Sequence, residues 1–262
     1  MPTDDNGQGP GPDLELSQPD IPVPDEDQPG VADFVAPGLT IKSIIGDEDT
    51  RRAVTDPTAA PWSGIGRLSV SGAAGVSEGT AFLISERWAL TAAHVILDAG
   101  SRPKPRLRLG AEGPLSASYL PHPDYRRTRA PEHDVALLRL DHAAPGFQFV
   151  MEPIDDAELQ TLAATNAEVR VAGYPKVHAP ELFWGGGAVV GQRAQVICHH
   201  VDTGKGQSGA PLFLARPGTT RLLGVHAHGD VRARAAPGVP NLAVRMTPWV
   251  CDWVEASRAK HA

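Results

Sequence analysis

Cysteine is scarce in this sequence, since only Cys198 and Cys251 occur among 262 residues. A small scaffold held by many disulfides is therefore excluded. The two cysteines are able to pair, but buried free thiols are the interpretation we favour. Long apolar runs are also missing: no stretch approaches the ~18 residues of a membrane-spanning helix. We accordingly predict no membrane partner.

The N-terminus lacks the basic region and apolar run of a secretory signal. We therefore predict a cytoplasmic protein. A secreted or periplasmic location is the alternative if a signal is missing from this sequence or if export uses another route. Residues 1–41 hold nine Asp or Glu and no Lys or Arg, so taking −9 from the net charge of −7 leaves +2 for the rest. This near-neutral remainder without a basic block predicts no nucleic-acid partner, and we expect a monomer.

The first 43 residues are rich in Pro, Gly, Asp and Gln and poor in apolar residues. Such a segment cannot bury enough surface to offset the entropy lost on ordering. The composition predicts a disordered acidic tail. A pro-segment that covers or tethers the following domain, residues 44–262, is the alternative.

The remainder has the pattern of an all-β protein, with short Val-, Ile-, Leu- and Phe-rich runs separated by Gly, Pro, Asn and Asp. Two groups of strands, at about 60–145 and 165–245, predict two small barrels side by side. A short helix is predicted at 155–162 between them. A closing helix at about 247–258 begins after Thr247, a suitable N-cap residue.

Three short motifs carry residues typical of nucleophilic catalysis. They are Leu90-Thr91-Ala92-Ala93-His94, His133-Asp134-Val135-Ala136-Leu137-Leu138 and Gly206-Gln207-Ser208-Gly209. A serine hydroxyl needs a neighbouring base to remove its proton. A histidine serves as that base near neutral pH, and a buried carboxylate fixes its tautomer. The trio predicts a hydrolase that needs no metal and no other cofactor.

These motifs, in this order, resemble those of trypsin-like serine proteases. The resemblance implies an all-β fold of two six-stranded antiparallel barrels with a C-terminal helix, and protein or peptide substrates. It implies a serine endopeptidase in which Ser208 attacks the scissile carbonyl, His94 transfers the proton and Asp134 orients His94. The backbone N–H groups of Gly206 and Ser208 would form the oxyanion hole. A catalytically silent, protease-like interaction module is the alternative from another functional class.

The resemblance extends to the bacterial glutamyl endopeptidases over roughly residues 44–256. The segments that are similar to that branch include Ile44-Ile45-Gly46-Asp47-Glu48-Asp49-Thr50-Arg51-Arg52, Trp62-Ser63-Gly64-Ile65-Gly66, Gly173-Tyr174-Pro175, Asp202-Thr203 and Gly224-Val225-His226. In that branch a histidine lines the primary specificity pocket and the mature N-terminal amine helps to bind the substrate acid. The resemblance thus implies that cleavage before Ile44 would create such an amine.

The residues expected to determine specificity favour two different kinds of substrate side chain. His226 and the Thr203 hydroxyl would favour an acidic substrate side chain, which is the preference we predict. Asp202, six residues before Ser208, would favour a basic side chain if its carboxylate faced the pocket, and a small or apolar preference is a third option. Alternatively, the Asp202 carboxylate turns away from the pocket or pairs with His226.

Strand alternation predicts that His228 lies on the same substrate-facing side as His226. The backbone from Ala227 to Gly229 would pair with an extended substrate. A zinc site is disfavoured although several metal-ligand types lie close in sequence, because adjacent His199 and His200 point to opposite sides of a strand. The candidate zinc ligands in this part of the sequence are Cys198, His199, His200, His226 and His228.

Overall fold

In the computed structural model, the described residues are 42–45, 48–193, 195–216, 219–229 and 240–261. They lie within one unit that spans Ala36–Ala262. The predicted tail or pro-segment falls outside the described residues, except for Lys42 and Ser43. No helix in the described part of the chain is long and apolar enough to cross a membrane.

Fifteen strands are formed in the described part of the chain. In chain order they are β1 (Lys42–Ser43), β2 (Arg52–Ala53), β3 (Ile65–Gly72), β4 (Gly75–Ser85), β5 (Trp88–Thr91), β6 (Lys104–Leu109), β7 (Leu115–Pro121), β8 (Ala136–Leu140), β9 (Glu168–Gly173), β10 (Phe183–Arg193), β11 (Val196–His199), β12 (Thr203–Gly204), β13 (Pro211–Arg216), β14 (Thr219–His228) and β15 (Asn241–Arg245). The helices are α1 (Ala93–Leu97), α2 (Pro123–Thr128), α3 (Asp156–Ala164) and α4 (Pro248–Lys260).

The first six-stranded barrel closes in the order β3-β4-β5-β8-β7-β6, with antiparallel neighbours. Strand β6 shows why the sequence folds this way. Its residues alternate regularly between exposed and buried, so that Pro105, Leu107 and Leu109 face the core while Lys104, Arg106 and Arg108 face solvent. This period of two is the pattern of a strand that is buried on one face.

The second barrel follows the order β11-β15-β14-β13-β9-β10, and pairing between β10 and β11 closes it. Short β2 adds to the outside of β10. The all-β prediction and the two six-stranded barrels with a C-terminal helix are therefore confirmed. The active-site residues predicted from the sequence are divided between the two barrels, so the barrel junction positions them.

Both predicted helices are present, and α4 has the N-cap residue expected from its sequence. Helix α3 begins after Asp155, whose carboxylate accepts a hydrogen bond from Glu158 N at 2.8 Å. Helix α4 begins after Thr247, whose hydroxyl accepts from Val250 N at 3.3 Å, and Pro248 occupies its first turn. Val250 and Val254 are fully buried on the face of α4 that packs against the core.

Cys198 and Cys251 are both buried and are not joined by a disulfide. Burial raises the pKa of the Cys251 thiol to about 11, with Asp252 adding to the shift. A thiol that stays protonated at neutral pH is a poor nucleophile. Cys251 therefore contributes to packing.

Candidate active site

His94 and Asp134 come together because their strands are neighbours. Strand β5 ends at Thr91, just before the turn that begins α1, and it pairs with β8, where Thr91 lies opposite Ala136. His94 therefore follows one strand by three residues, while Asp134 precedes the adjacent strand by two. The antiparallel pairing places both residues at the same end of the first barrel.

Asp134 is fully buried and holds His94 through two hydrogen bonds. Its Oδ1 accepts from the His94 backbone N at 2.8 Å, and its Oδ2 lies 2.6 Å from His94 Nδ1. Burial alone would lower the pKa of His94, but the charge and hydrogen bond of Asp134 outweigh it, so the pKa of His94 is raised above its usual value. Burial opposes ionisation of Asp134, yet the two histidines beside it hold its pKa far below the usual value. The pair is arranged to stabilise a proton on His94.

The second histidine on Asp134 is His228, whose Nε2 lies 2.7 Å from Asp134 Oδ2. Its ring also stacks on the His94 ring, with 4.9 Å between centroids and 26° between planes. Strand alternation predicts that His226 and His228 share one side, but the β14–β15 register shifts between them. Ala227 is the extra residue in this bulge, so His228 contacts the catalytic carboxylate rather than following His226.

His94, Asp134 and His228 are also the one group within the described ranges whose ligand atoms lie close enough for a shared metal ion. The two nitrogen-to-oxygen distances, 2.6 and 2.7 Å, are those of charge-assisted hydrogen bonds. Ligands about 2.0–2.2 Å from a tetrahedral zinc ion would lie farther apart from one another than this. The group is therefore a hydrogen-bonded one, with imidazole N–H groups directed at a carboxylate.

Ser208 lies in a loop whose peptide groups are turned in a defined way. Lys205 O accepts from Lys176 N at 2.7 Å, and Gln207 O accepts from Ala210 N at 3.0 Å. In a trans peptide the N–H points opposite to the carbonyl. The N–H groups of Gly206 and Ser208 consequently point away from Lys176 N and Ala210 N.

Gly206 is required at this position. Its φ is +101°, and a Cβ there would lie 2.4 Å from Tyr174 O. An L-residue would therefore suffer both backbone strain and a clash with a backbone atom. The glycine thus permits the backbone conformation of this loop.

The Ser208 hydroxyl is partly exposed, and its hydrogen bond is a long one of 3.5 Å to Ala227 O. No hydrogen bond joins it to His94 in the described part of the chain. Catalytic hydrogen bonds are often long without substrate and shorten in the reacting complex. The bulge at Ala227 places this carbonyl beside the nucleophile.

Thr80 links the serine loop to the first barrel, although no local sequence pattern marks it as a functional residue. Its amide donates to Ser208 O at 2.8 Å. Its hydroxyl donates to Gly206 O at 2.9 Å and accepts from Tyr174 N at 3.0 Å. Its carbonyl accepts from the hydroxyl of Thr91 at 2.7 Å. A single buried residue of β4 therefore fixes both residues of the predicted oxyanion hole.

Replacing Thr80 with Val is expected to lower both stability and turnover. The methyl group preserves the volume but leaves Gly206 O and Tyr174 N buried without their partner, at a cost of about 1–3 kcal/mol each in the free energy of unfolding. We expect kcat to fall about tenfold or more as the loop relaxes. Denaturant unfolding and peptide hydrolysis measure the two effects, with Thr80→Ser, which keeps the hydroxyl, as the control. Wild-type turnover in Thr80→Val would show that this hydroxyl does not hold the loop.

Thr203, His226 and His199 are all buried. Within the described residues, Thr203 Oγ1, His226 Nδ1 and His199 Nε2 have no hydrogen-bond partner. The rings of His199 and His226 meet edge to face, 5.4 Å apart. Burial and the neighbouring histidines hold the pKa of His226 well below its usual value, and burial lowers that of His199 to about 3. Both rings are therefore neutral near pH 7.

Asp202 has different partners from those considered in the sequence analysis. Its Oδ1 accepts from Ile45 N at 2.7 Å, and its Oδ2 accepts from Thr50 N at 2.8 Å and from the Thr50 hydroxyl at 2.6 Å. The carboxylate is buried and both oxygens are occupied by the N-terminal segment. Asp202 therefore anchors that segment, and among the described residues no hydrogen bond joins it to His226.

The same segment reaches the residue before the nucleophile. Gln207 Oε1 accepts from Gly204 N at 2.9 Å and from Arg51 Nη1 at 3.2 Å. Strand β1 pairs with β12, with Ser43 opposite Thr203. Residues 42–45 and 48–51 thus support the loop that carries Thr203, Gly206 and Ser208.

Comparison with known proteins agrees with this geometry. The family model described as Trypsin matches residues 52–254, while no match was found among curated proteins. A solved structure, "Structure of Glu endopeptidase in complex with MPD", is similar with a TM-score of 0.69 and 20% identity, covering 82% of this chain and 99% of that one. The chain belongs to the trypsin family and is a serine endopeptidase of that fold.

Proposed function

We propose that Ser208, His94 and Asp134 carry out peptide-bond hydrolysis in this protein. The observation that carries the proposal is the buried Asp134, whose Oδ2 lies 2.6 Å from His94 Nδ1. Ser208 Oγ attacks the scissile carbonyl as His94 Nε2 takes its proton. Asp134 stabilises the imidazolium, and the N–H groups of Gly206 and Ser208 bind the carbonyl oxygen as it becomes negative.

The second half of the reaction reverses these proton movements. His94 delivers its proton to the leaving amine, which breaks the peptide C–N bond and leaves an acyl-enzyme on Ser208. Water then gives its proton to His94 and attacks the ester carbonyl, and the acid product leaves as Ser208 regains its proton. The raised pKa of His94 suits this role, since His94 must accept and release a proton in each half-reaction.

For specificity, we propose cleavage after acidic residues. Thr203 Oγ1 and His226 Nδ1 are buried polar atoms without partners in the described residues, and a substrate carboxylate would satisfy both. Asp202 does not oppose this preference, because its oxygens are occupied by Ile45 and Thr50. The same occupation removes the support for cleavage after basic residues. Gly229 and the backbone of Ala227 are the groups proposed to pair with the substrate strand.

Binding of an acidic side chain is expected to be coupled to proton uptake by His226. The pKa of this ring is well below its usual value in the free protein, and the ring has a hydrogen bond with the backbone of Leu242. A neutral imidazole has one N–H, so the nitrogen that faces the pocket gains a proton when it binds a carboxylate. The carboxylate favours that proton by raising the pKa of His226 in the complex.

The measurable result is a ratio of kcat/KM for two matched peptides, one with Glu and one with Gln before the cleaved bond. The titration of His94 affects kcat/KM equally for both peptides, so its effect cancels in the ratio. The Glu to Gln ratio should exceed one, and it should fall as pH rises from about 6 to 9, by up to about tenfold per pH unit while one proton is taken up.

His226→Gln is the matched control, because it keeps polarity but does not titrate. Its ratio should be independent of pH. A ratio below one in the wild-type protein, or faster cleavage after Lys or Arg, would contradict the acidic preference. A ratio above one that stays constant with pH would contradict proton uptake by His226 and would leave the preference itself in place.

A further inference from the structure

His228 is a titratable residue beside the triad, and it has no role in the catalytic steps proposed for Ser208, His94 and Asp134. It belongs to strand β14, in the second barrel, whereas Asp134 and His94 belong to the first. The bulge at Ala227 turns its side chain to Asp134, where Nε2 lies 2.7 Å from Oδ2. Its side chain is 23% exposed, so the hydrogen bond is largely shielded from water.

We propose that His228 is a positioning residue of the catalytic triad, donating Nε2–H to Asp134 while its ring supports the face of His94. This inference rests on the roles proposed for His94, Asp134 and Ser208. Asp134 Oδ2 then receives two N–H donors, one from each histidine, and Oδ1 receives the His94 backbone N. Three donors fix the carboxylate plane from both barrels.

The second donor has a chemical consequence for His94. A hydrogen bond that neutralises part of the charge of Asp134 weakens the attraction between Asp134 and a proton on His94. His228 therefore limits how far Asp134 raises the pKa of His94. If the donor is lost, that pKa should rise, and a larger fraction of His94 is protonated and inactive as a base at neutral pH.

The other charged and titratable groups near the His94 and His228 rings are the same in the wild-type protein and in variants of His228. Asp98 and Arg129 act on His94 with opposite signs, Asp98 raising and Arg129 lowering its pKa. His226, which carries no charge near pH 7, lies close to both His94 and His228. None of these residues is altered when His228 is replaced, so a shift in the pH profile reports the lost donor.

Two variants separate the donor from the ring. His228→Phe keeps an aromatic ring against His94 but has no N–H, whereas His228→Gln keeps an N–H donor without the ring. We expect kcat of His228→Phe to fall about tenfold or more, with KM for a short peptide changed less than twofold. The acid limb of its kcat/KM profile should move to higher pH by about half a unit. His228→Gln should recover most of kcat and the original limb.

The proton between His94 Nδ1 and Asp134 gives a readout that does not depend on turnover. Proton NMR of the full chain should show this strongly hydrogen-bonded proton far downfield, and its resonance should move in His228→Phe and return toward the wild-type position in His228→Gln. Unfolding curves establish that each variant is folded. If His228→Phe retains wild-type kcat, pH profile and resonance while the wild-type protein is active, the role of His228 is wrong. An inactive wild-type protein would instead overturn the proposed function.

Discussion

Replacement of Ser208 with Ala is expected to lower kcat/KM for a peptide substrate by about 10⁵–10⁶-fold. The substitution removes one oxygen and leaves the fold intact, because Ser208 is held through its backbone, with Thr80 N donating to Ser208 O at 2.8 Å. Without the hydroxyl there is no acyl-enzyme, and His94 has no nucleophile to activate. Residual hydrolysis would come from the oxyanion hole and substrate binding alone.

A fluorophosphonate probe provides the direct measurement. It should label the wild-type protein at Ser208 and should not label Ser208→Ala, with mass spectrometry locating the adduct. The rival interaction-module interpretation predicts no labelling and binding of a partner that survives the substitution. Equal labelling of both proteins would place the reactive group elsewhere. Absence of labelling in folded wild-type protein would contradict the proposed catalytic role.

Replacement of Asp134 with Asn is expected to lower kcat by about 10⁴-fold with little change in KM. Asp134 Oδ2 accepts from His94 Nδ1 and from His228 Nε2. An amide cannot accept at both of its terminal atoms: if its NH2 group occupies the Oδ2 position, it faces two N–H donors, and if it occupies the Oδ1 position, it faces the His94 backbone N–H. His94 would therefore change tautomer or move, and either change removes the base from Ser208.

Single-turnover kinetics from pH 6 to 10 should show this loss for Asp134→Asn. Asp156→Asn is the control, because Asp156 is an exposed carboxylate that is paired with Arg245 away from the site, and kcat should be unchanged. Unfolding curves should show that Asp134→Asn is folded. A loss of less than about tenfold would mean that His94 does not depend on Asp134 for its tautomer.

The barrels and the triad motifs are predictable because they depend on local pattern. The alternation in β6 identifies a strand directly, and the residues that flank His94, Asp134 and Ser208 lie in recognisable motifs. The capping residue Thr247 likewise marks the start of α4 from sequence alone. In each case the signal lies within a few residues of the feature that it predicts.

The details of the site depend on contacts that no local pattern contains. Asp202 is six residues from Ser208, yet its partners Ile45 and Thr50 lie more than 150 residues away in sequence. His228 departs from strand alternation because a one-residue bulge changes the side on which it lies. Thr80 looks like an ordinary strand threonine, and its importance comes from the second barrel that meets it. Side-chain direction at the junction is thus set by tertiary structure.

The N-terminal segment around Ile45 and Thr50 has a consequence for synthesis of the chain. Asp202 and Gln207, which this segment holds, are made about 150 residues later, and His228 follows them. A nascent chain therefore cannot assemble the site until residue 228 has left the ribosome. The last strand of the first barrel ends at Leu140, so this barrel has time to fold before the residues that complete the site are made.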